Sequence, residues 1–94
     1  MVRRELSSYV ERIDVVCQTS GAYLALLRLG KVEEVLAKLD RRAKKTLKLG
    51  KALVKYEVED AALTYVAPNR LVVRLRNTGS VKRVEEILAK LLSH

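Results

Sequence analysis

Histidine occurs once, at the terminal His94, and cysteine once, at Cys17, so this chain cannot assemble a tetrahedral nitrogen and sulfur shell or an internal disulfide. The same shortage removes a Cys-His pair, and with no base to hold beside a nucleophile, catalysis by this chain alone is not expected. Cys17 lies in an apolar stretch and reads as a small buried hydrophobe of a cytoplasmic protein. Tryptophan and phenylalanine are absent and the four tyrosines are scattered, which argues against a base-stacking platform; Tyr56 and Tyr65 read as packing residues. The glycines at 21, 30, 50 and 79 are isolated, so there is no phosphate-cradling loop.

Long apolar runs are missing as well. The longest, Ala22 to Leu27, falls far short of the ~20 residues of a membrane span. Met1 to Glu5 leads into a polar stretch without the apolar segment of a secretory leader. Outside two helical Glu-Glu pairs, the only close carboxylates are Glu57, Glu59 and Asp60, for which pairing with Lys55 or an arginine is expected before a hard cation. Neither a metal nor a cofactor is expected.

What the sequence has is positive charge. Nineteen Lys and Arg stand against 11 Asp and Glu, a net charge of +8 on 94 residues, which points to nucleic acid or another polyanion. The length suits one small domain over residues 1–94, with a core that must be compact. A 32% share of charged residues and few labile side chains suit a thermophilic source.

Along the chain, residues 1–18 carry mixed signals, with Val2, Leu6, Val10 and Ile13 at helical spacing and Ile13, Val15 and Cys17 alternating as in a strand. A helical or irregular start followed by a strand is expected. Ser20-Gly21 supplies a turn into an apolar strand, Tyr23 to Leu29. From Lys31 the period changes, and Val32, Val35, Leu36, Leu39, Ala43 and Leu47 form the stripe of one amphipathic helix ending near Gly50. Its opposite face carries Lys38, Arg41, Arg42, Lys44, Lys45 and Lys48, and the basic run continues through Lys51 and Lys55, giving seven cations between Arg41 and Lys55.

The next strand begins with Val54, Tyr56 and Val58 on one face, but after Asp60 the apolar set changes parity to Leu63, Tyr65 and Ala67, which predicts a bulge or break near Asp60-Ala61. A turn at Pro68-Asn69 leads into a strand with Leu71, Val73 and Leu75 inward and Arg70, Arg74 and Arg76 outward with Val72. Asn77 to Ser80 turns the chain, Ser80 is a candidate N-cap, and the last helix buries Val81, Val84, Ile87, Leu88, Leu91 and Leu92.

Two helices share a near-repeat: Val32 to Leu39 reads VEEVLAKL and Val84 to Leu91 reads VEEILAKL. Each follows a strand, a turn and a strand, so the chain reads as two β-β-α units, with Val10, Glu11 and Leu27 corresponding to Val58, Glu59 and Leu75. The expected fold is α+β, an antiparallel sheet of three or four strands backed by two helices, with duplication as one explanation of the repeat.

From Tyr23 onward, the order strand, helix, long strand, strand, helix, finishing in RLVVRLRN (Arg70 to Asn77) and SVKRVEEILAKLL (Ser80 to Leu92), resembles the small dimerising subunit of the archaeal KEOPS complex. That resemblance implies a non-catalytic, dimerising subunit that joins a kinase-like and a carbamoyl-transferring partner in tRNA modification and contacts tRNA. Read as helical, Ile13 to Gly30 is similar to the small subunit of archaeal type I-A CRISPR surveillance complexes, a basic, non-enzymatic protein.

The functional expectation is a non-catalytic accessory subunit of a nucleic-acid-processing assembly, with RNA favoured. It would hold phosphates through Lys38, Arg41, Arg42, Lys44, Lys45, Lys48, Lys51, Arg70, Arg74 and Arg76. Other protein subunits and a second copy of the chain are the expected partners. The competing expectation is an interaction module whose charge serves an acidic protein.

Overall fold

A computed structural model of the chain describes residues 6–17, 19, 21–58, 61–76 and 80–92. Its elements are strand β1 (Val10–Cys17), β2 (Ala22–Leu27), helix α1 (Val32–Arg42), β3 (Lys45–Lys48), β4 (Leu53–Glu57), β5 (Ala61–Val66), β6 (Arg70–Leu75) and helix α2 (Val81–Leu92). The class is α+β, as expected, but the sheet has six strands rather than three or four, in the order β1-β2-β6-β5-β4-β3 with every pairing antiparallel. Glu59, Asp60, Ser20, His94 and the turn at 77–79 lie outside the described residues.

One extra strand comes from the stretch whose spacing predicts a long helix, and the other from the division of the expected strand after Val54 into β4 and β5. Helix α1 stops at Arg42, where Ala43 turns extended (φ −72°, ψ 144°) while its N–H still bonds back to Leu39 O. Lys45 to Lys48 then pairs with β4, with Lys45 opposite Glu57 and Lys48 opposite Val54. The Leu49 N–H donates to Leu53 O, and Gly50 turns the hairpin at φ +128°, a backbone region that side-chain-bearing residues rarely adopt. Leu47 is thus an exposed strand residue and not part of a buried helical stripe. The parity change after Asp60 is likewise a chain reversal between β4 and β5, closed by Val58 N–H to Ala61 O.

Alternation builds the core. Tyr23, Ala25 and Leu27 of β2, Leu71, Val73 and Leu75 of β6, Ala61, Leu63 and Tyr65 of β5, and Val54 and Tyr56 of β4 all face one side and are buried. Register aligns them in rows such as Tyr23-Val73-Leu63-Tyr56. Against that face pack Val35 and Leu39 of α1 and Val84, Ile87, Leu88 and Leu92 of α2, in one continuous cluster. Val81 and Leu91, expected in the core, are only partly buried. The Val84 N–H donates to Ser80 O, which places Ser80 where α2 begins.

β1 is a strand from Val10 to Cys17 and β2 a strand from Ala22 to Leu27, so the described part of Ile13 to Leu27 is extended and not helical; β2 stops short of the expected Leu29, and Leu29–Lys31 form a single 3-10 turn that leads into α1. The end of β1 is open to solvent: Val15, Val16 and Cys17 are exposed, which corrects the expectation of Cys17 as a buried hydrophobe. Gly21 takes φ +69° in the turn before β2, and its carbonyl accepts from Leu75 N–H at 2.9 Å. At the opposite end Asn69 ties the β5–β6 turn to β2, exchanging bonds with the Leu27 backbone at 2.7 and 2.9 Å.

The two hairpins β1-β2 and β5-β6 meet antiparallel through β2 and β6, with Leu24 opposite Val72 at the middle. The shift that lays Leu27 on Leu75 also lays Ala22–Leu27 on Arg70–Leu75, the bounds of β6. β3 and β4 have no counterpart in the first half, so the chain is not two β-β-α units joined end to end.

Candidate nucleic-acid interface

The ten cations singled out in the sequence divide among four environments. Lys38 is buried: its ammonium donates to Leu92 O at 3.0 Å and stands 5.0 Å from the centre of the Tyr9 ring. It therefore closes the C-terminal end of α2 and is not part of a solvated basic face. Arg42 is exposed, yet its Nη1 donates to Lys90 O at 2.8 Å, so it too serves the α2 terminus, where carbonyls lack helical partners. Burial explains Lys38: it lies three residues after Val35 and one before Leu39, on the flank of the α1 stripe that meets α2.

Arg41, Lys44, Lys45, Lys48 and Lys51 are exposed along the end of α1, the β3 edge and the β3–β4 turn. They do not form one helix face, because Lys44, Lys45 and Lys48 lie beyond the helix. Lys48 pairs with Asp40 at 3.6 Å. A lysine-rich edge of only four residues also discourages strand addition there.

The remaining arginines lie on the outer face of the sheet, opposite the helices, as the alternation of β6 predicts. Strand register places Ala22, Arg74, Ala62, Glu57 and Lys45 in one row across this face, and Leu24, Val72, Thr64, Lys55 and Leu47 in the next. Leu26, Arg70, Val66 and Leu53 make a third. On β1, Arg12 and Asp14 join the same side, opposite Leu26 and Leu24.

Charge on this face is unbalanced. Its two described carboxylates are already engaged, Asp14 by Arg12 at 3.1 Å and Glu57 by Arg76 at 3.6 Å. Lys45, Lys55, Arg70 and Arg74 are exposed and have no acidic partner among the described residues. The exposed pairs are weak, about 0 to 1 kcal/mol each, so Arg76 is not firmly committed to Glu57.

The middle of the face is small. β5 offers Ala62, Thr64 and Val66 between the longer side chains of β6 and β4. The result is an open concavity of about 830 Å³ bordered by Arg74 and Val72 on one side and Lys55, Glu57, Lys45 and Leu47 on the other. Lys55 belongs to this set, although it is not among the ten phosphate-holding cations expected from the sequence. The signal for its place is its alternation with Val54 and Tyr56.

All three tyrosines in the sheet, Tyr23, Tyr56 and Tyr65, face the core and leave no aromatic ring on the outer face among the described residues. Tyr65 donates to Pro68 O at 2.9 Å. The Tyr56 hydroxyl is pushed up to about 12, chiefly by burial, then by the negative charge of Asp40 and by Tyr65. Among the described residues no three of His, Cys, Asp and Glu gather as a metal site, and no helix is long and apolar enough to cross a membrane. Compared with known proteins, the chain matches no family model, no curated protein and no solved structure.

Proposed function

We propose that this chain is a non-catalytic, basic accessory subunit of an RNA-processing assembly and that it holds nucleic acid by phosphate contacts on the outer face of its sheet. The observation that carries this reading is the set Lys45, Lys55 and Arg74, exposed around one concavity that Glu57 also borders, with Arg70 exposed beyond it on the same face and none of the four ion-paired among the described residues. Four cations without an ion-pair partner among the described residues, set on an antiparallel scaffold, neutralise phosphates without reading base edges, so affinity falls steeply with salt. The resemblance to the small KEOPS subunit favours RNA, tRNA modification and a cytoplasmic place among protein partners. A second copy would add at β1, whose exposed Val15 and Val16 leave that edge less guarded than β3. Duplication of a β-β-α unit accounts for the coincidence of β2 and β6 and for the shared helix sequence, with β3 and β4 as an insertion.

The test is fluorescence anisotropy of labelled tRNA over a series of salt concentrations, comparing the native chain with the combined Lys45→Ser, Lys55→Ser, Arg70→Ser and Arg74→Ser variant. The native chain should bind at low salt, and the variant should bind more weakly, with a slope shallower by about 0.7 to 0.9 for each phosphate it no longer neutralises. Equal affinity and equal slope would put the interface elsewhere.

A further inference from the structure

We infer that the nucleic acid this face accepts is single-stranded, lying in the trough along β5 with its phosphates toward Lys55 of β4 on one wall and Arg74 of β6 on the other, and with Lys45 of β3 and Arg70 farther along β6 outside these walls. The inference rests on the phosphate-binding reading above and adds the form of the ligand.

Width decides against a duplex. The walls are β4 and β6, two strand spacings apart, which is about 10 Å. The major groove alone of B-form DNA is about 12 Å across, so a duplex is wider than the trough and would touch only its rim. An extended strand fits between the walls and reaches the floor of Ala62, Thr64 and Val66.

The floor also says how bases are accommodated. With no aromatic ring on this face among the described residues, stacking falls to guanidinium planes. Arg74 is exposed, and its cross-strand neighbours are the alanines Ala22 and Ala62, so no bulky side chain covers it and a base can lie against it. Leu24 and Val72, half-buried in the next row, give the bases an apolar shelf. Such contacts tolerate any sequence, because every base has a π-face.

Charge complementarity selects a polyanion over a second copy of this chain, whose equivalent face would oppose the same four cations, none of them ion-paired among the described residues. It does not alone separate a nucleic acid strand from an acidic peptide, and the experiment does so.

Anisotropy at low salt would compare a uridine-rich single strand, the same strand annealed to its complement, and polyglutamate as competitor. The proteins would be the native chain, Arg74→Lys, and the combined Ala62→Leu and Thr64→Leu variant, which fills the trough without changing charge; circular dichroism would confirm that both variants fold. The single strand should bind roughly tenfold tighter than the duplex. Arg74→Lys, which keeps charge but loses the planar group, should weaken single-strand binding about fivefold. The filled trough should weaken it further and leave rim binding of the duplex intact.

Equal binding of single strand and duplex, with both variants neutral, would overturn the single-strand inference while leaving phosphate binding in place. Displacement by polyglutamate as effective as by unlabelled strand would assign the trough to an acidic peptide. No binding of either nucleic acid would remove this inference and the proposed function together.

Discussion

The Lys38 ammonium donates to the carbonyl oxygen of Leu92 at 3.0 Å, joining the middle of α1 to the last turn of α2 across 54 positions of sequence. It is buried, and the ring of Tyr9 covers it at 5.0 Å. A cation thus serves three purposes at once: it satisfies a carbonyl at a helix end, complements the negative end of the α2 dipole and packs against an aromatic ring.

Lys38→Met keeps most of the packing and removes the charged hydrogen bond. It should cost about 1.5 to 3 kcal/mol in urea unfolding and leave RNA affinity within about twofold of native. A drop in affinity with stability unchanged would return Lys38 to the binding face.

Gly21 and Gly30 make opposite predictions. At Gly21 φ is +69°, and an added Cβ would stand 3.3 Å from the Leu75 carbonyl oxygen, whose residue is fixed by its bond to Gly21. Gly21→Ala should therefore destabilise by at least about 1 to 2 kcal/mol. Gly30 has open space around it and no positive φ, so Gly30→Ala should change stability by no more than about 0.5 kcal/mol. Thermal unfolding of the pair checks both.

The Tyr56 hydroxyl ionises near 12 in the folded chain against 10.0 for the free side chain, because burial opposes the phenolate. A raised folded value favours the protonated form, so this contribution is complete below pH 10.0 and is lost as pH rises through about 12. The native chain should lose stability over that window more steeply than Tyr56→Phe, which has no proton to release. Parallel declines in urea unfolding would show that Tyr56 ionises as freely in the folded state as in the unfolded one.

Strand alternation, with its period of two, was legible in the sequence. The outward set Arg70, Val72 and Arg74, the inward set Leu71, Val73 and Leu75, and the inward Tyr56 and Tyr65 come straight from it, and the structure has them so. The stretch after Arg42 was obscured. Ala43 and Leu47 continue the helical spacing of Val32, Val35, Leu36 and Leu39, so one pattern runs through a real boundary that no proline or glycine marks. The competing signal is weaker but physical: Leu47 and Leu49 alternate up to Gly50, and Val54 and Tyr56 alternate after it, the pattern of a hairpin. The environment of Lys38 was not legible at all, since Leu92 and Tyr9 meet it only through tertiary packing.

The proposed centre of binding is therefore a sheet face and not a basic helix, and a second set of variants separates the two. Arg41→Ser with Lys44→Ser and Lys51→Ser removes three exposed cations outside the trough. Their removal should lower affinity only through the general field, by less than the removal of Arg70 and Arg74 alone and more so at low salt. The reverse ranking would favour the edge.

Residue-resolved amide chemical-shift mapping, with RNA titrated into the isotopically labelled protein, locates the binding face itself. Binding in the trough predicts the largest changes at Lys55, Ala62, Thr64, Val72 and Arg74, with the buried contacts of Lys38 and α2 unmoved. Changes centred on α1, α2 or the β1 edge, with β5 and β6 silent, would contradict it.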